Sequence, residues 1–118
     1  MNSFRLFLAA FLAVLVSYTF VVITNHGADL FSVFIGDMTG LNWAGQFNLD
    51  FTGFLMLSGI WTAWRNHFTQ TAFALSLLAF FGGMLFLGIY LLYLSYAEQG
   101  DIKRILLGRE RARDAGLG

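Results

Sequence analysis

The chain has 118 residues, of which 58% are hydrophobic, 18% aromatic and only 12% charged, whereas soluble domains carry charge on about a quarter of theirs. A mean hydropathy of +0.68 points to a membrane environment, and a formal net charge of zero leaves no field to gather nucleic acid or acidic substrates. The absence of cysteine excludes disulfides, thiolate metal sites and cysteine nucleophiles, and two histidines fall short of a metal site.

At this length one helical bundle is expected, with little room for a soluble catalytic domain. Residues 4–24 are an almost unbroken apolar run, about 30 Å long as a helix, which matches the hydrocarbon thickness. A secretory signal is the rival reading, but the run continues through Val21, Val22 and Ile23 without a small-residue cleavage site. The loop 25–47 holds Asp29 and Asp37 and no lysine or arginine. Leu30, Phe34, Met38 and Leu41 recur in it at helical spacing, so it reads as an amphipathic helix on the membrane surface. It is not expected to cross, because Asp37 and Asn42 would then lie in hydrocarbon. Trp43 and Phe47 can anchor its return.

A second span is expected over 48–64, closed by Trp61, Trp64 and Arg65, residue types suited to the membrane–water boundary. A third, over 71–96, would be about 39 Å long if fully helical, so it must tilt, bend or leave the lipid. Gly82 and Gly83 offer the bending point, and Tyr90, Tyr93 and Tyr96 form an aromatic belt toward its far end. The tail 97–118 is basic. Asp101 reads as an N-cap, Gly108 as a C-cap, and Ile102, Ile105 and Leu106 between them as one apolar face. That short helix reads as an interfacial anchor whose Lys103 and Arg104 meet lipid phosphates, or as a docking element for a partner. From Arg109 onward the mixed charge predicts a frayed end.

The expected fold is therefore all-α: a bundle of three transmembrane helices over 1–96, with an amphipathic loop segment and a short C-terminal interfacial helix. Orientation signals conflict. Arg5, the cation-free loop and Arg65 with His67 favour a cytoplasmic N-terminus, yet three crossings then place the basic tail outside. A fourth crossing by the loop, or insertion led by the tail's charges, would relieve the conflict. The expected location is a bacterial cytoplasmic (inner) membrane, multi-pass.

Small residues recur at i+4 on the first two spans, Ala9, Ala13 and Ser17 on the first and Gly59 and Ala63 on the second, and the third offers Ala72, Ser76, Ala79 and Gly83. Such stripes let helix backbones approach closely in lipid, within one chain or between copies. Asp50, Ser58, Thr62 and Arg65 fall near one line of the second span, its expected inward face. An antiparallel bundle could bring His26, Asn48 and Asp50 together with Tyr90 or Tyr93. Asp50 would then take up a proton or cation, or position a polar headgroup. In the plainer reading Asn48 or Asp50 simply caps the second helix. His26 and His67 fall on opposite sides, which disfavours a haem between them. Ser58-Gly59 lacks the strand–turn–helix setting of a nucleophile elbow, and no HExxH or CxxC occurs, so no catalytic residue, cofactor or metal is expected.

Phe47-Asn48-Leu49-Asp50-Phe51, Trp61-Thr62-Ala63-Trp64-Arg65, Gly82-Gly83 and Tyr90-Leu91-Leu92 together resemble small three-span bacterial membrane proteins of uncharacterised function. The resemblance implies a cytoplasmic-membrane bundle with a polar loop after the first helix, and no reaction, cofactor or catalytic residue. Three roles follow as expectations. The first is a non-enzymatic accessory or scaffold subunit that packs against copies of itself or a larger membrane protein. The second is an oligomeric transporter or channel component using Asp50. The third is a lipid or quinone binder using an aromatic pocket near Tyr90 and Trp43.

Overall fold

The computed structural model describes residues 1–116, and every regular element among them is helical. In chain order these are α1 (Asn2–His26), α2 (Leu30–Thr39), α3 (Trp43–Arg65), α4 (Gln70–Ala97), α5 (Ile102–Leu107) and α6 (Arg109–Asp114). They form an elongated body of 49 × 27 × 24 Å.

The start of α3 is set by Asn42, whose side chain accepts from the Gly45 N–H at 2.8 Å. The helix thus begins before the expected entry at residue 48, and neither Asn48 nor Asp50 caps it. The cap lies earlier because α2 folds back onto α3. Gly45 allows that approach, since a Cβ there would sit 2.9 Å from the Met38 Cα. Asp29 caps α2 through the Ser32 N–H. Phe34 and Met38 are half-buried, whereas Leu30 (73% exposed) and Leu41 (93%) lie in the open, so the expected apolar face is only half used.

The largest departure from expectation is α4. Gly83 has φ 56° and ψ −138°, outside helical geometry and in a region that residues with a Cβ scarcely enter. The chain reverses there. Leu75 packs against a core cluster of Tyr90, Leu94 and Ile105, yet Leu75 and Leu94 would stand about 28 Å apart in a straight helix. Residues 70–82 and 84–97 are therefore the outgoing and returning arms of a helical hairpin, each about 20 Å long.

Both arms find partners. The outgoing arm runs antiparallel to α3, and the Ser76 hydroxyl donates to the Gly59 carbonyl at 2.8 Å. Ala63, Ala72 and Ala79 are buried. Gly83 at the tip abuts Phe51 and Leu55 of α3. The returning arm runs antiparallel to α1: Arg5 Nε donates to the Ser95 hydroxyl at 2.9 Å, and a Cβ on Gly88 would sit 2.8 Å from Leu12 Cδ2.

Two helices, α1 and α4, are long and apolar enough to cross a membrane. The three-span bundle is not confirmed: α3 falls outside that group, and each arm of α4 is shorter than the roughly 30 Å of a hydrocarbon core. The tail also departs from expectation. Residues 109–114 form α6, and α5 is docked on the bundle. Ile105 (3% exposed) and Ala112 (0%) are buried, while Ile102 and Leu106 face outward, so the three apolar positions of α5 do not act as one face.

Candidate functional site

Three charged side chains meet where α3, the returning arm of α4 and the tail converge. Arg65 closes α3, and its guanidinium donates from Nε to the Ile105 carbonyl and from Nη2 to the Arg104 carbonyl at 3.1 Å. Carbonyls near the end of a helix run short of intrahelical partners and carry partial negative charge, so one cation bonds two of them in α5, the Arg104 carbonyl also accepting from the Gly108 N–H at 2.9 Å. Its side chain is 8% exposed, and burial on that scale is tolerable only because the donors are occupied. Arg65, expected at the membrane–water boundary, is thus held in a tertiary contact.

Glu98, directly after α4, is the anion of the group, with a side chain 8% exposed. Its Oε2 accepts from Arg109 Nε at 2.8 Å. Its Oε1 stands 3.7 Å from Arg65 Nη2, beyond hydrogen-bond length. Hydrogen bonding and attraction to Glu98 raise the Arg109 pKa above the ordinary arginine value. The side chain stays cationic across any working pH. Arg109 Nη2 also donates to the Ala97 carbonyl at 3.2 Å.

Further contacts fasten the same end. Arg111 donates to the Trp64 carbonyl and lies 4.1 Å from the centroid of the Trp64 ring. Trp61 Nε1 donates to the Leu106 carbonyl at 3.1 Å. Arg5 also donates to the Ser95 carbonyl at 2.6 Å and lies 4.0 Å from the Tyr96 ring centroid. Asp101 caps α5 through the N–H groups of Lys103 and Arg104.

A cleft of about 680 Å³ opens between the bases of the two arms, beside Asn66, His67, Thr69 and Thr71. Arg65 and Glu98 line it, together with Arg109 and Glu110 at the start of α6. Leu75 and Leu94 supply apolar wall, with the Tyr90 and Tyr93 rings beside them. His67 Nε2 lies 3.7 Å from Glu110 Oε2. The Tyr90 hydroxyl accepts from Asn66 Nδ2 at 2.8 Å. With His67 neutral the cleft carries two guanidiniums and two carboxylates, so its formal charge balances.

The cluster expected from the sequence does not assemble. Asn48 donates to the Phe34 carbonyl at 3.1 Å and holds α2 against α3. Asp50 and His26 are exposed at that same end, as is Trp43 (76%). Tyr90 and Tyr93 lie at the opposite end, because the hairpin returns them to the level of Arg65. Hence no aromatic pocket joins Trp43 to Tyr90. Along α3, Thr62 and Arg65 are buried and Ser58 is half-buried, but Asp50 is not on a covered face. The Ser58 hydroxyl is buried with no hydrogen-bond partner among the described residues. Ala9, Ala13 and Ser17 lie exposed along α1. Lys103 is exposed, and Arg104 pairs with Asp101 at 3.5 Å.

Sequence reasoning missed Glu98, Arg109 and Asn66. One signal was present: Glu98 is the first charged residue after a long apolar helix. An anion there gains from a cation, and only the chain reversal brings Arg65 within reach.

Comparison with protein-family models, curated proteins and solved structures finds no match.

Proposed function

We propose that this is a small, non-enzymatic, multi-pass protein of the bacterial cytoplasmic membrane, an accessory or scaffold subunit that works by helix packing. The observation that carries the proposal is α1. Every residue from Val16 to His26 is exposed, because α1 is about 37 Å long and the returning arm beside it only about 20 Å. Phe20 (70%), Val14 (65%) and Tyr18 (71%) stand in the open along this helix. Apolar surface on that scale needs lipid or another protein as its surroundings. The uncovered Ala9, Ala13 and Ser17 stripe gives a second helix, from another copy or a larger membrane protein, a smooth face to approach.

In this reading α1 and α3 cross the bilayer, while α4 enters from the cytoplasmic side and returns to it. The orientation conflict then disappears. Arg5, Arg65 and the tail cations Lys103, Arg104, Arg109, Arg111 and Arg113 gather at one end, and Asp29, Asp37 and Asp50 at the other. That is the distribution the positive-inside rule asks for, with both termini cytoplasmic.

The cysteine-free chain permits a clean test. Single substitutions Ser3→Cys, Asp29→Cys and Ala115→Cys are treated with a membrane-impermeant maleimide in intact cells. Labelling of Asp29→Cys alone is expected, and labelling of Ala115→Cys would overturn the proposed topology. Association is read from particle mass in mild detergent. Ala13→Leu should reduce it to the bare chain, and an unchanged mass would remove the scaffold role for this stripe.

A further inference from the structure

We infer that the cleft at the base of the α4 hairpin binds the headgroup of one zwitterionic aminophospholipid. Its phosphate would meet the exposed Arg109 guanidinium, and its ammonium the Glu98 and Glu110 carboxylates. The inference rests on the membrane reading above and gives that reading a ligand.

Charge chooses among headgroups. The cleft holds cations and anions in equal number, so a zwitterion enters without leaving net charge behind, whereas a monoanionic headgroup leaves an excess. Hydrogen bonding sharpens the choice. The Glu98 side chain is nearly buried and its Oε1 stands 3.7 Å from Arg65 Nη2, a gap that a donor entering from the cleft can close. A primary ammonium brings N–H donors to that oxygen, and a quaternary ammonium brings none. On the other side, Arg109 is 69% exposed along its side chain, so the guanidinium can reach a phosphate while its Nε stays on Glu98.

The surroundings also suit an amphiphile. Leu75 and Tyr93 line the cleft on the two arms. One turn further along each arm, on the same faces, lie Leu78 (57% exposed) and Ile89 (55%). An apolar track therefore leads from the charged cleft toward the hairpin tip, which in the proposed topology is toward the bilayer centre. A water-soluble zwitterion would have no use for it. At about 680 Å³ the cleft is large enough for a headgroup and the first carbons of its chains.

The test uses the full chain, delipidated in mild detergent and titrated with dioctanoyl phosphatidylethanolamine, phosphatidylcholine or phosphatidylglycerol, with binding followed by native mass spectrometry. One phosphatidylethanolamine per chain is expected, held about tenfold more tightly than either other lipid. Glu98→Gln should remove that preference. Because it can also weaken the fold, Thr71→Trp is the second variant. Thr71 lines the cleft and is exposed, so an indole there fills the cleft with the charges in place, and should abolish binding while the thermal midpoint holds. Equal affinity for the three lipids, a preference for phosphatidylglycerol, or unchanged binding in both variants would overturn the inference. Cell fractionation of the unaltered chain separates the two readings. A membrane-bound chain without headgroup preference removes the lipid site alone, and a chain in the soluble fraction removes the membrane reading and this site together.

Discussion

Asn66 Nδ2 donates to the Tyr90 hydroxyl at 2.8 Å, although the two residues would stand about 36 Å apart on a continuous helix. The bond locks the base of the hairpin to the end of α3. It places Tyr90 (9% exposed) in the core cluster beside Leu94 and Ile105 and 6.1 Å, ring to ring, from Trp61. The fold and the candidate site both depend on that reversal.

Gly83→Ala should open the hairpin. The backbone at φ 56° and ψ −138° is closed to alanine, and the added Cβ would press on Phe51 Cζ at 3.2 Å. A loss of about 1–3 kcal/mol is expected. Thermal unfolding in detergent gives the cost, and spin labels at Thr71→Cys and Ala97→Cys give the geometry. The labels should be close in the parent chain and separated in the variant. A short distance in both would show that glycine is not needed at the tip.

Glu98→Gln removes the anion shared by Arg65 and Arg109. Arg65 then keeps its two carbonyl acceptors but is left buried without a counter-charge, and a loss of about 3 kcal/mol is expected. Detergent-phase denaturation measures it. A change under about 0.5 kcal/mol, the range of an ordinary surface substitution, would mean that the carbonyls alone satisfy the guanidinium.

The Arg109–Glu98 contact should be insensitive to alkali. The Arg109 pKa is raised in the folded chain, so the stabilisation is fully present below the ordinary arginine value and is lost only as pH climbs through the still higher folded value. Tryptic cleavage within α6, which reports release of the tail, should keep one rate relative to a flexible control peptide between about pH 7 and 10. Faster relative cleavage toward the upper limit would show that another group controls docking. Arg111→Ala, which removes the contact with Trp64, should accelerate cleavage throughout that range.

Asp50→Asn should leave both stability and particle mass unchanged, within about 0.5 kcal/mol, because Asp50 is exposed on the acidic half of α3. Ion or proton flux in vesicles holding the parent chain and the variant checks the transporter alternative. A flux in the parent chain that vanishes in Asp50→Asn would restore that role.

The sequence by itself determined the apolar character of the chain and most of the helices: long apolar runs, no proline, and caps such as Asp101 and Gly108 read correctly from local chemistry, because capping and hydropathy involve residues a turn or two apart. It also marked Gly82-Gly83 as a place to bend. How far the chain bends there is a tertiary matter, decided where Gly83 meets Phe51 and Leu55, Ser76 meets Gly59, and Tyr90 meets Asn66. A glycine permits a straight helix, a kink and a reversal alike, and choosing between them takes contacts between residues tens of positions apart. The candidate site was hidden for the same reason. Arg65, Glu98 and Arg109 are ordinary boundary residues one at a time, and become a buried charge group only after the returning arm carries Glu98 back to the end of α3.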